Sequence, residues 1–220
     1  MIDNQLPQFF SELKDNNNRD WFHENKKRYE KHVKKPFAAL VADLLIAFQD
    51  QLGIGLEPKD CIFRINRDIR FSKDKSPYKL NTSAVFAPGG KKDHSRPGLY
   101  VELGAEKMSI AGGSWMPDKE QLHKIRTYIA SDTEKYNEVF SEKGFVSYFG
   151  EVKGDENKRL PKEFQEAGEI CPDIYKKQFY WWADIPIHDA IGKGLKETIL
   201  EYRDNQTMQS MYMTEAMEGN

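Results

Sequence analysis

Leu99-Tyr100-Val101-Glu102-Leu103 and Lys107-Met108-Ser109-Ile110-Ala111 flank Gly104-Ala105-Glu106. Two β-forming runs around a short glycine-containing turn predict an antiparallel hairpin. No other segment constrains the fold as much. A lone hairpin is barely stable in water, so its apolar face needs a cover. Upstream, Phe37, Leu40, Val41, Leu44, Leu45, Phe48 and Leu52 recur at period 3.6, and Gly53 and Gly55 follow as a stop. That stripe is too apolar to stand in solvent. Further strands are expected near 61–65, 82–86 and 178–184, with Gly112-Gly113 ending the second hairpin strand. The prediction is an α+β fold, an antiparallel or mixed sheet with packed helices, in a single compact domain over residues 1–205.

The remaining helices follow from spacing and punctuation. Leu6, Phe9, Phe10 and Leu13 make a first short helix, which Asn16-Asn17-Asn18 breaks. Asn18 suits the N-cap of a helix that starts at Arg19, carries Trp21, Asn25, Tyr29 and His32, and is interrupted by Pro36. Leu122, Ile125 and Ile129 mark another. Ser131-Asp132-Thr133-Glu134 reads as a capping box in which Ser131 and Glu134 exchange bonds. Ile187, Ile191, Leu195, Ile199 and Tyr202 share one face of a last helix. Residues 206–220 are expected to form a tail, frayed or partner-bound.

Hydrophobic residues make up 39% of the 220 and aromatics 12%, enough for a core. No apolar run reaches the roughly 20 residues of a membrane-spanning helix. The N-terminus lacks a basic stretch followed by an apolar one, and the two cysteines cannot build a disulfide framework. The expectation is a soluble cytoplasmic protein without a membrane partner. The net charge of −2 argues against general nucleic-acid binding. Its distribution is uneven: residues 132–220 hold 11 basic and 18 acidic side chains, a net of −7, which leaves +5 for residues 1–131. An anionic partner belongs with the first half.

The densest cationic stretch runs Phe63-Arg64-Ile65-Asn66-Arg67-Asp68-Ile69-Arg70-Phe71-Ser72-Lys73-Asp74-Lys75-Ser76-Pro77-Tyr78-Lys79. From 64 to 79 it holds six basic and two acidic residues, a net of +4. Phe63, Ile65, Ile69, Phe71 and Tyr78 interleave with the charges and are expected to be partly buried, pinning the cations. A strand to about Ile65, a turn at Asn66-Arg67-Asp68 and irregular chain to Tyr78 fit best, since Ser76-Pro77 disfavours helix.

This segment, with Asn17-Asn18-Arg19-Asp20-Trp21-Phe22, Trp115-Met116-Pro117 and Leu160-Pro161-Lys162, resembles the proteins grouped as domain-of-unknown-function family 2461. The resemblance spans roughly residues 6 to 203. It implies one compact domain in a soluble protein of bacterial or fungal type, and it brings no activity with it.

The leading functional reading is an oxyanion site for a phosphate-bearing small molecule, with nucleic acid not favoured. Arg64, Arg67, Arg70, Lys73, Lys75 and Lys79 would supply charge. Arg19 and Trp21 at the helix start, and Tyr78, would supply donors or a stacking face. The alternative is a non-catalytic interaction or scaffold module, in which Asp68 and Asp74 tie these cations into a structural network and a carboxylate such as Asp68 or Asp20 pairs with a buried Arg67. A third reading is an enzyme acting on a phosphorylated or nucleic-acid substrate. Orientation separates the first two: cations converging on an open surface favour binding, cations capped by carboxylates and carbonyls favour the network. No cofactor or metal is expected. His23, His32, His94, His123 and His188 form no ligand pair, and no G-x-S-x-G or P-loop pattern occurs.

Overall fold

The structure, a computed structural model, describes residues 2–49, 55–92 and 96–219. The expected helix end at Leu52 and Gly53, and the loop histidine His94, lie outside the described residues. Four strands form one antiparallel sheet in the order β1-β2-β3-β4: β1 (Asn81–Phe86), β2 (Leu99–Gly104), β3 (Lys107–Ser114) and β4 (Phe179–Pro186). The chain clusters into two compact units. One comprises Met1–Lys92, Tyr100–Ile110 and Asp184–Leu200; the other comprises Asp93–Leu99, Ala111–Ala183 and Glu201–Asn220.

In the first unit, α1 (Gln5–Asp15) buries Leu6, Phe9, Phe10 and Leu13 completely. Asn18 caps α2 (Arg19–Glu24), its Oδ1 accepting the Trp21 N–H at 2.9 Å. The chain continues through α3 (Lys26–Tyr29) and does not stop at Pro36. Glu30–Lys34 instead widens into a π turn, and α4 (Lys35–Ala47) carries the proline in its first turn. Proline has no N–H for the carbonyl four residues back, and a π turn closes the ladder with longer bonds, here Lys35 N–H to the Glu30 carbonyl. Phe37, Val41 and Leu44 of α4 are buried, and Phe48 meets Phe86 of β1 edge-on at 5.1 Å. The expected strand at 61–65 is shorter than its β-forming composition indicates. Pro58–Cys61 is a helical turn, α5, and pairing begins only with the Ile62–Ala84 bridge.

From Gly112 onward several local readings change. β3 runs through Gly112 and Gly113 to Ser114. Trp181 of β4 lies against this backbone, a Cβ on either glycine would collide with it, and Gly113 adopts φ +89°. α6 (Lys119–Ser131) ends one residue later than the capping pattern indicates: Asp132 caps α7 (Thr133–Phe140), accepting the Lys135 N–H at 2.8 Å, while the Ser131 hydroxyl donates back to the Tyr128 carbonyl. Residues 150–178 include the helix Gln165–Ile170 and the 3-10 turn Pro172–Tyr175. The tail is no frayed end. Thr207–Glu218 is a helix that buries Tyr212, Met213, Ala216 and Met217, with the Tyr212 ring 4.9 Å from Tyr128 and 5.6 Å from Phe140. Its low-complexity methionines hide a helical stripe at 213 and 217. The long helix expected from Ile187 is divided at Gly194, φ +94°, into Ile187–Lys193 and Leu195–Asp204.

Candidate functional site

The cationic segment is a β-like hairpin with a long tip. Antiparallel bridges join Ile62 to Ala84 and Asn66 to Tyr78; on either side of the second, the Lys79 N–H bonds the Ile65 carbonyl at 2.8 Å and the Arg67 N–H bonds the Pro77 carbonyl at 2.9 Å. Its root is fixed from the helical side. Asn17 donates its amide to the Tyr78 carbonyl at 3.0 Å and accepts the Tyr78 N–H at 3.1 Å, and the Tyr78 ring stacks on Phe22 at 3.9 Å and 18°.

Beyond Asn66 the tip is braced by its own charges. Arg67 donates to Asp74, to the Ser76 carbonyl at 3.2 Å and to the Ser72 hydroxyl at 3.4 Å. Its partner is therefore Asp74, not Asp68 or Asp20, and its side chain is 26% exposed rather than buried. The tip curls back, so the carboxylate seven residues on reaches it and the adjacent one does not. Asp68 holds Arg70 through two bonds at 3.0 and 2.7 Å. The Lys75 ammonium caps the Ile69 carbonyl at 2.9 Å. Arg70 holds the Asp68 carboxyl down to about 2; the Ser76 hydroxyl and amide, then Arg67, hold Asp74 down to about 2. Phe71 departs from expectation: it is 96% exposed at the turn, with the Arg70 guanidinium 5.8 Å from its ring centroid. A tip this short has no apolar layer under which the ring could tuck.

The other candidates separate. Arg19 and Lys73 are exposed, without a hydrogen-bond or ion-pair partner among the described residues. Trp21 packs on Phe9 at 5.6 Å and its backbone N–H is taken by Asn18, while one face of the Tyr78 ring is covered by Phe22. Arg64 and Lys79 lie at the foot of the hairpin and form a different environment. Lys79 is half-buried with its ammonium 5.2 Å from the Phe63 ring centroid and no hydrogen-bonded acceptor among the described residues. Burial pushes its pKa down; Glu102 opposes this, and the like charge of Arg64 adds to it. Arg64 is exposed and has no ion-pair partner among the described residues.

Glu102 and Tyr100 were not singled out by sequence. They alternate on β2, two residues apart, which places both on one face. The Tyr100 hydroxyl donates to Glu102 at 2.7 Å, and burial pushes the phenol pKa up, so Tyr100 remains a proton donor. Further along the same unit, Asp184 accepts from Lys107 at 2.5 Å and from the Ser109 hydroxyl at 2.6 Å.

The match that decides the family covers nearly all of this architecture: a model described as conserved hypothetical protein (DUF2461) spans residues 5–212. The chain belongs to that family. No curated protein matches it. The family's span takes in the helical N-terminus, the hairpin, the sheet and half of the last helix, so the braced tip and the Arg64–Lys79 foot both fall inside it. Among the described residues no group of three or more His, Cys, Asp or Glu side chains is placed to hold a metal ion. Likewise no helix there is long and apolar enough to cross a membrane. The two free thiols, Cys61 and Cys171, are buried, and burial pushes each up to about 11.

Proposed function

We propose that the protein binds a small phosphate-bearing ligand at the foot of the hairpin, with Arg64 and Lys79 as its cations. The observation that carries this is, among the described residues, a half-buried ammonium with no hydrogen-bonded acceptor next to a guanidinium with no ion-pair partner. Two adjacent like charges repel, and one is partly stripped of water; a dianion between them relieves both costs. The tip cations Arg67, Arg70 and Lys75 are already capped, so they brace the site and do not form it. The test is titration with inorganic phosphate and nucleoside monophosphates at two salt concentrations. The double variant Arg64→Gln, Lys79→Met is expected to bind about tenfold or more weakly, since each charge-assisted bond lost weighs that much. Lys75→Gln is expected to bind like wild type. The reading falls if wild type binds none of these probes, or if the double variant binds them equally.

A second reading rests on Phe71. An exposed aromatic beside arginine, on a loop stiffened by its own ion pairs, is a ready anchor for protein contact. The excess negative charge of residues 132–220 makes a second copy of the chain the complementary partner. Sedimentation velocity tests it: self-association that weakens in salt and disappears in Phe71→Ser supports an interaction module, and a monomer at all concentrations removes it.

A further inference from the structure

Arg126 sits in the buried stripe of α6 between Ile125 and Thr127, and only 6% of it is exposed. Its Nε donates to the Ile174 carbonyl at 2.9 Å, and Nη2 to the carbonyls of Lys176 at 3.0 Å and Tyr175 at 3.5 Å. These carbonyls lie at the end of the Pro172–Tyr175 turn, the Tyr175 one also accepting the Asn157 N–H at 2.8 Å, and a cation suits them as it suits a helix C-terminus. They offer dipoles, not a counter-charge. Among the described residues no carboxylate pairs with Arg126, and burial pushes its pKa down. Nη1 has no acceptor among the described residues, yet it is not among the sealed side-chain atoms that lack a partner.

Arg126 also lines a groove of about 470 Å³, a volume in the range that takes small ligands. Leu122, Pro161 and Phe164 give it an apolar wall, and Lys119 and His123 complete the lining. Glu120 lines it too, with its carboxylate 3.4 Å from the Lys124 ammonium, and His123 faces Glu163 at 3.7 Å. The two acids are paired with Lys124 and His123, so the Arg126 guanidinium is the one buried cation of the lining, and one negative charge balances it.

We propose that this groove binds a small amphipathic carboxylate, an aliphatic or aryl acid whose carboxylate meets Arg126 and whose hydrocarbon part lies on Leu122, Pro161 and Phe164. Such a ligand supplies the missing counter-charge and covers apolar wall in one step, whereas phosphate offers no apolar part. The site is separate from the Arg64–Lys79 foot and does not rest on that reading.

The experiment compares octanoate and benzoate with octanamide, benzamide and inorganic phosphate, followed by NMR titration of the full chain. The acids are expected to bind at least about tenfold more tightly than their amides, the margin of one charge-assisted contact. Arg126→Met is expected to abolish that preference. Because this variant also uncaps the Ile174 and Lys176 carbonyls, Leu122→Glu provides an independent check. It places a carboxylate one turn before Arg126, where an acid and an arginine pair, and is expected to leave the fold intact while eliminating acid binding. Arg64→Gln, Lys79→Met is expected to bind octanoate like wild type. Acids and amides binding alike, no saturable binding of any acid, or unchanged octanoate binding in Leu122→Glu would each overturn the proposal, leaving Arg126 as a brace for the 172–175 turn alone.

Discussion

Arg67 and Arg126 are both withdrawn from water, and the chain satisfies them in opposite ways. Arg67, at 26% exposure, has a carboxylate, a hydroxyl and a carbonyl, all from the ten residues that follow it. Arg126, at 6%, has carbonyls only, and they come from about 50 residues away. The first arrangement is a local brace that completes its own charge balance. The second is a long-range brace that leaves a net charge inside the unit that holds it. A dense cluster of basic residues can thus be electrostatically finished, while an isolated arginine on an apolar helix face is not.

The largest effect should come from Arg126→Met. The Ile174 and Lys176 carbonyls lose their donor, and a loss on the order of 3 kcal/mol is expected in urea unfolding. A loss below about 1 kcal/mol would place Arg126 closer to solvent and dissolve the contrast. Arg67→Leu should cost less, about 1 kcal/mol, because its partners are surface groups that water can serve instead. Equal losses at the two positions would break the comparison.

Acid offers a sharper separation. Asp68 and Asp74 are each held near about 2 in the folded chain, against about 3.9 for an unfolded aspartate. A depressed carboxyl stabilises the fold fully above the unfolded value, and that contribution is lost as pH falls from about 4 through 2. The Arg70 and Ser76 amides, which bond these carboxylates, should therefore lose hydrogen-exchange protection in that window. The carbonyls that hold Arg126 do not titrate there, so the 172–175 turn should keep its protection until the whole chain unfolds. Simultaneous loss would show that the tip has no separate acid response. The smallest effect is expected from Phe71→Ser: an exposed ring contributes little to folding, so stability should stay within about 0.5 kcal/mol of wild type.

The contrast also explains which features were legible in the sequence. The hairpin at 99–111 and the 37–48 stripe were readable because period 2 and period 3.6 state directly which side chains share a face. Asn18 was readable as a cap because capping is local. The braced tip was only half readable. Composition showed that Asp68 and Asp74 could tie the cations, but the curl that gives Asp74 to Arg67 depends on tertiary placement. Phe71 was misread because interleaving with charges says nothing about whether an apolar layer exists to receive a ring. Glu102 could not be chosen from 35 acidic residues without knowing that β2 sets it beside Lys79. Arg126 carried no signal at all, since its acceptors are backbone atoms and backbone carbonyls have no letter in a sequence. The helix at 207–218 was not legible because its methionines look like low complexity until Tyr128, Tyr136 and Phe140 are placed around Tyr212.

The Asn17–Tyr78 contact bears on how the protein behaves in a crowded solution. In the Asn66–Tyr78 bridge the ladder bonds are made by the neighbouring residues, so the N–H and carbonyl of Tyr78 point outward from the pair. Outward-facing groups of this kind are what a passing strand recruits when proteins polymerise edge to edge. The carboxamide of Asn17 has the same donor and acceptor as a peptide group and occupies both. A single side chain thus stands in for a missing strand and closes this margin against templated aggregation, which a carboxylate or a methyl group at position 17 could not do.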